Sequence, residues 1–418
     1  MPSTNVVAVG SEWDIIVVGA GAAGLMAAIH AAERGRRTLL LEKNRKPGVK
    51  ILMSGGTRCN ITQATDERGI VEAFGPNGRF LHSALAAFGV QDTVDFFEAE
   101  GVATKVEETR KIFPVSDRAL DVLDALLRRL RRSGATLALG EPVTDLRHSG
   151  SGGFEVVTSQ QIITSPRVIV TVGGQSYPGS GTRGDGYAWA ARFGHTIVPP
   201  KPALVPITVD AAWVADLRGI TLADVGLKIV EGDQVLARRR GGFLFAHFGL
   251  SGPAPLDISK AVTRHPNPAG LTLVIDFLPS LRETEFDEFL KRESLASGKR
   301  QLAVVLSEYV PRRLADALLS LTGQPIDRRA AGLARDERAK LVAAIKRLQL
   351  PVRGTLGFEK AEVTTGGVAL DEVDSRTMQS KLVPGLYLAG EILDLDGPIG
   401  GYNFQAAWST GWLAGRSV

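Results

Sequence analysis

The sequence predicts an α/β fold in which a Rossmann-like nucleotide-binding domain is written in two segments around an insertion. Three observations lead there. Asp14 to Glu42 reads as strand, glycine turn, helix and acid-ended strand; Val383 to Gly415 reads as a further strand, turn and helix; and the composition changes around Pro199 to Pro206, between them. A chain of 418 residues exceeds what one hydrophobic core usually supports, so more than one domain is expected.

The first element is the apolar run Ile15-Ile16-Val17-Val18, of the kind that forms a strand buried on both faces. Gly19-Ala20-Gly21-Ala22-Ala23-Gly24 follows it. Here Gly19 permits the tight turn, Gly21 lets the backbone approach a pyrophosphate, and Gly24 lets helix and strand pack closely. The N–H groups of Ala22 and Ala23 then open a helix whose positive end suits phosphate. Gly35 marks that helix's C-cap, and Arg36 to Glu42 returns as a strand. Glu42 stands about 20 residues past the glycines, where an acid bonds a ribose hydroxyl. Its charge would repel a 2′-phosphate, which makes NADP the disfavoured occupant.

Helical spacing recurs over Asp92 to Glu100 and over Asp117 to Arg132, with Leu120, Leu123, Leu127 and Leu130 expected on one buried face. Arg128, Arg129, Arg131 and Arg132 crowd the end of that helix and read as a solvated face. Short strands are expected at Thr136 to Leu139, Phe154 to Thr158 and Val168 to Val172. A β-rich stretch runs to about Phe277, with hairpin signals at Glu231-Gly232-Asp233 and Gly241-Gly242. Glu283 to Leu350 reads as helical, and Leu386 to Ala389 returns as a buried strand. Gly179 to Gly184 also spells G-x-G-x-x-G, but Pro178 precedes it and no acid-ended strand follows, so it reads as a decoy.

Composition sets limits. The chain is 44% hydrophobic and 22% charged with a net charge of +4, which suits a soluble globular protein and permits an anionic partner. No apolar run reaches about 18 residues, so no membrane span is expected. Met1 to Trp13 lacks the pattern of a secretory leader. The single cysteine, Cys59, excludes an intrachain disulfide and fits a reducing cytoplasm. No His-Glu helix pair or cysteine cluster suggests a metal.

The C-terminal segment turns the dinucleotide reading towards a flavin. Leu386-Tyr387-Leu388-Ala389-Gly390-Glu391 is a short apolar strand ending in glycine and an acid, placed to reach a ribityl chain. Gly400, Gly401, Tyr402 and Asn403 then open a helix whose N–H donors suit negative charge at flavin N1/O2. FAD is the expected cofactor, held non-covalently at one per chain.

With these pieces in place the chain resembles the BaiN/YhiN-type flavoproteins, a branch of the glutathione-reductase-like FAD superfamily. The resemblance rests on Lys50 to Asn60, Thr171 to Pro178, Gly181 to Tyr187, Gly242 to Pro253, Ala361 to Val368 and Gly390 to Gln405, and spans nearly the whole chain. It implies a two-segment Rossmann-like FAD-binding domain over 1–195 and 356–418. The inserted domain, 196–355, would combine a β-barrel-like part (196–280) with a small helical bundle (281–355). It also implies contacts to FAD from Lys43, Val143, Gly173 and Gly174, and from the loop residues Lys50, Gly55, Gly56, Arg58, Cys59 and Asn60.

Chemistry beyond the cofactor grip narrows to a few side chains. Lys50 and Arg58 are cations of the kind that hold phosphate or a reduced flavin. Cys59 is either a proton donor or a thiolate opposite the flavin, or a small buried residue, and packing is the ordinary role of a lone cysteine. His247 is either a core or packing histidine, the default, or a substrate-contacting or proton-transfer group. Arg238-Arg239-Arg240 reads as a basic hairpin edge, useful if the substrate is RNA. The expected activity is transfer of hydride from NADH or NADPH, bound transiently, through FAD to an unsaturated small molecule. Two alternatives stand beside it: an RNA-directed flavin reductase forming dihydrouridine in ribosomal RNA, and a non-catalytic flavin-binding assembly protein. The oligomeric state stays open.

Overall fold

A computed structural model describes residues 13–149, 152–296 and 299–418, so the reading of the amino terminus as leaderless falls, for residues 1–12, outside the described residues. The chain divides into two compact units, one formed by 1–201 with 363–418 and the other by 202–362.

The first unit is built on a five-stranded parallel sheet. Its order is Leu386–Leu388, Val168–Val170, β1 (Ile15–Val18), β2 (Thr38–Glu42) and Thr136–Leu139, so a strand from the second segment completes one edge. Val17 lies opposite Leu40 on one side and Ile169 on the other, and Ile169 opposite Tyr387. All four β1 residues are at most 3% exposed, which is why the run is apolar without alternation. Between β1 and β2 runs α1 (Ala22–Ala32). It closes as expected on Gly35 at φ +80°, where the Gly35 and Arg36 N–H groups bond Ala32 and Ala31 carbonyls in a Schellman arrangement. The C-terminal helix, Tyr402–Ser417, packs on α1 through small residues: a Cβ on Gly411 would sit 2.3 Å from Ala23 O, and one on Gly415 2.3 Å from Ala27 O.

Helix Ala119–Ser133 departs from the expected face. Its buried residues are Ala119, Val122, Leu123, Ala125, Leu126 and Leu130, while Leu120 is exposed and Leu127 half-buried. Valine and alanine fill the stripe that a leucine count assigns elsewhere. The arginines at its end are not merely solvated either. Arg129 and Arg132 pair with Glu100, whose side chain is 2% exposed, and Arg128 donates to the Glu100 carbonyl. A buried carboxylate demands such partners.

The second unit is a closed six-stranded barrel in the order Ile207–Val209, Gly249–Ser251, Gln234–Ala246, Thr221–Glu231, Thr272–Asp276 and Leu348–Thr355, accompanied by helices Pro253–Thr263, Glu283–Ala296, Arg312–Leu321 and Arg335–Lys346. Phe243, Phe245 and Phe277 form its aromatic core. Three expectations need correction. The helical part stops at Lys346, because Leu348, Leu350 and Val352 alternate with the exposed Gln349, Pro351 and Arg353 and close the barrel as a strand. Gly241-Gly242 is no hairpin: it lies inside a long strand, where a Cβ on Gly242 would come 3.3 Å from Pro253. Arg238-Arg239-Arg240 sits mid-strand opposite Lys228, Leu227 and Gly226, with Arg240 held by both carboxylate oxygens of Asp224 at 2.7 and 2.6 Å. The hairpin at Gly232-Asp233 forms as expected, with Glu231 opposite Gln234.

Candidate functional site

The three fingerprint glycines answer three different demands. Gly19 has φ +99°, and a Cβ there would meet the Thr171 carbonyl oxygen at 2.8 Å. At Gly24 a Cβ would lie 1.8 Å from Gly19 O and 2.6 Å from Thr171 Oγ1, so glycine is required by packing alone. Gly21 differs: its φ of −82° suits any residue, yet a Cβ there would meet nothing within 4 Å. Open space therefore lies at the start of α1, whose first-turn N–H groups, from Ala22 onward, receive no side-chain cap. That is a cradle for an anion, and the residues around it fit an adenine dinucleotide.

Glu42 is buried at the end of β2. Its Oε2 accepts the Ala20 N–H and its Oε1 the Asn44 N–H, both at 2.8 Å. The acid thus ties the glycine turn to the loop after β2, and each oxygen keeps a lone pair for a ribose hydroxyl. The neighbouring Lys43 pairs with Asp185 at 2.5 Å. Val143 opens a strand of a separate three-stranded sheet opposite Thr158, half-buried.

A second cluster gathers where the strands from both segments end. Gly390 has φ +78°, donates its N–H to Thr410 Oγ1 at 3.0 Å, and presents Glu391. Glu391 Oε2 accepts from Lys50 Nζ at 2.7 Å, and Oε1 accepts from Ser176 Oγ at 2.6 Å and from the Thr364 N–H at 2.9 Å. Lys50 also bonds Ser176 Oγ at 2.8 Å. The Thr364 hydroxyl accepts the N–H groups of Gln175 and Ser176. Gly174 is compelled by this crowding, since a Cβ would sit 2.3 Å from Thr364 Oγ1; Gly173, at φ +76°, makes the bend before it. Lys50 is therefore the partner of a carboxylate. Ser176 and Thr364 carry no spacing signal, because their partners lie far away along the chain, and Tyr187, near Gly174, keeps a buried hydroxyl without a hydrogen-bond partner.

The loop after Lys50 turns through four left-handed residues, Gly55, Gly56, Thr57 and Cys59. Arg58 bonds Glu107 at 2.6 Å, reaches Asp117 at 3.4 Å and stacks 4.0 Å over the Phe113 ring. Its guanidinium is held above its ordinary range first by Glu107, and its charge is met here by Glu107 and Asp117. Cys59 is fully buried, and burial pushes its thiol up to about 12. That environment suits packing rather than proton donation. Asn60 follows, buried, with Oδ1 unpartnered.

At the C-terminal turn, Asn403 accepts the Gly397 N–H at 2.8 Å and donates to the Gly397 carbonyl at 2.9 Å, closing the loop that carries Gly400 and Gly401. Gly401, at φ +92°, admits the Thr62 backbone, from which a Cβ would stand only 2.6 Å. Tyr402 is the first helical residue and half-buried. Gly179 to Gly184 forms a 3-10 turn and a short loop into helix Asp185–Arg192, with no strand before it, as expected of a decoy.

Expected by default in a core or packing role, His247 is excluded from the core one. It stands exposed at the tip between two barrel strands, its ring 4.9 Å from that of Phe248, and borders a groove of about 650 Å³ in the second unit with Asp210 and Arg353. The tight turn leaves its side chain outside the barrel. Among the described residues no group of His, Cys, Asp or Glu is placed to hold a metal ion, and no helix is long and apolar enough to cross a membrane.

Comparison with known proteins agrees with this fold. The HI0933-like protein Rossmann domain family matches residues 13–417. The chain is 35% identical over 408 residues to the ribosomal RNA dihydrouridine synthase of Escherichia coli (strain K12), covering 97% of this chain and 98% of that one. It is 33% identical over 409 residues to the 3-dehydro-bile acid delta(4,6)-reductase of Clostridium scindens, covering 96% and 98%. The solved 3-ketosteroid-delta4-(5alpha)-dehydrogenase of Rhodococcus jostii RHA1 shares the fold at a TM-score of 0.55 and 14% identity, over 100% of this chain and 99% of that one. The chain belongs to the HI0933-like Rossmann family, on the BaiN/YhiN branch expected from its motifs, and is an FAD-dependent oxidoreductase.

Proposed function

We propose that this protein takes hydride from NADH or NADPH onto FAD and delivers it to a carbon–carbon double bond of a small unsaturated substrate. The observation that carries the reading is the open space at Gly21, on the same sheet as the strand that ends in Gly390-Glu391. One extended ligand can use both. The first-turn N–H groups of α1 hold the pyrophosphate, Glu42 the adenosine ribose, and Glu391, fixed by Lys50 and Ser176, the ribityl chain. The bound flavin supplies the hydride chemistry; the helix beginning at Tyr402 favours negative charge at its pyrimidine end.

Only one dinucleotide fingerprint has its strand and acid, so the nicotinamide donor would bind briefly rather than in a fold of its own. The names of both relatives describe saturating a ring double bond, which supports the same reaction type here. A cytoplasmic site of action accords with the single buried cysteine. RNA as substrate is the second reading. It draws on the synthase relative and on Lys228 and Arg238, exposed and directly opposite each other, an arrangement that is unfavourable until an anion relieves it.

Anaerobic stopped-flow mixing with NADH and with NADPH tests the proposal. Loss of the visible flavin absorbance with one of them, and its return on adding an unsaturated ring substrate, is expected. A flavin that neither donor reduces would mark the FAD as structural and overturn the reading. Reoxidation by uridine-containing RNA alone would move the substrate to RNA.

A further inference from the structure

Buried polar atoms are nearly always satisfied, so those left over point to something outside the chain. Gln63 is 8% exposed, and its Oε1 has no partner. Its amide orientation is fixed: Nε2 donates to the Thr109 carbonyl at 3.1 Å, so the other end must be the acceptor. That acceptor sits beside Gly400, where a Cβ would lie 3.0 Å from Oε1. Gly400 and Gly401 lead into the C-terminal helix, sixteen residues long and without a side-chain cap. A buried lone acceptor thus adjoins a row of N–H donors.

The pyrimidine edge of an isoalloxazine ring presents a carbonyl, an N–H and a second carbonyl. Helix N–H donors can serve the carbonyl at C2, but the N3–H between the carbonyls needs an acceptor. We propose that Gln63 Oε1 accepts the N3–H of the flavin and so fixes the ring's register against the C-terminal helix. This rests on the reading above, in which the flavin's pyrimidine end meets that helix. Asn60, just before the short strand Thr62–Gln63 and with its own unpartnered Oδ1, is the competing acceptor.

The test uses full-length protein stripped of flavin and titrated by fluorescence with FAD and with FAD methylated at N3. Wild type should bind FAD about ten- to a hundredfold more tightly than the methylated form, the range of one buried hydrogen bond. Gln63→Leu, of similar size, should weaken FAD binding and reduce the preference to within about threefold; Asn60→Leu, whatever it does to overall FAD affinity, should keep the preference. Equal affinities in wild type would overturn the proposal even if Gln63→Leu failed to fold. Preference retained in Gln63→Leu, or erased by Asn60→Leu instead, would also overturn it. Protein that binds neither flavin would defeat the flavoprotein reading and this inference together.

Discussion

Two stretches of this chain, Gly19 to Gly24 and Gly179 to Gly184, spell the same glycine spacing, and their surroundings differ at the middle glycine. Gly21 faces open space at the start of α1, an eleven-residue helix that follows a strand. The corresponding Gly181 is filled in by the chain itself: a Cβ would meet the Asn44 side chain at 2.7 Å, and one on Gly184 would meet Gln175 at 2.7 Å. No strand leads into the second run, which instead enters from a 3-10 turn. The spacing combines a turn, a helix–strand contact and a vacancy, and only the vacancy concerns a ligand. A glycine pattern predicts binding when its middle position is left unclaimed by other side chains.

Substitutions sharpen that contrast. Gly24→Ala should have the largest effect, because its Cβ would overlap the Gly19 carbonyl oxygen at 1.8 Å, backbone that cannot swing aside. A loss of about 3 kcal/mol is expected in denaturant melts, with FAD lost as well. Unchanged stability would mean that the glycine is not a packing requirement. Glu42→Ala comes next. It strands the buried Ala20 N–H and the half-buried Asn44 N–H, so the apo protein should lose about 2 kcal/mol, beyond a tenfold to hundredfold weaker hold on FAD. A stable apo protein with normal FAD affinity would remove the acid from both roles.

Cys59→Ser should cost about 1–2 kcal/mol, because a hydroxyl replaces a fully buried thiol. Flavin reduction and substrate-driven reoxidation should each change by less than about threefold. A fall of roughly a hundredfold in reoxidation alone would restore the thiol as proton donor. The smallest effects separate the two glycine runs directly. Gly21→Val should spare the melting curve and weaken FAD about tenfold, whereas Gly181→Ala should cost about 1 kcal/mol of stability and leave FAD binding unchanged. The reverse pattern would exchange the roles of the two runs.

Local demands are legible in the sequence. The β1–α1–β2 unit, its Gly35 cap, the Leu386–Leu388 strand and the two-residue hairpin each follow from residues adjacent along the chain. What escapes is set by partners far apart. Lys50 carries no sign that Glu391, 341 positions away, is its partner, and Arg58 none that Glu107 and Asp117 meet its charge. Leu348 to Thr355 reads as helix because charged helices precede it, yet its alternation seals a barrel begun 141 residues earlier at Ile207. Gln63 gives no signal at all, since an unsatisfied acceptor exists only once the fold has satisfied the rest.

The central claim is that the vacancy at Gly21 and the acid-ended strand at Glu391 share one FAD. The most direct measurement is the visible spectrum of the purified protein, with its flavin released by heat and counted. One FAD per chain, freed without proteolysis and rebound on titration, is the expected result. A colourless protein that takes up no FAD at concentrations up to about 100 μM would contradict the account.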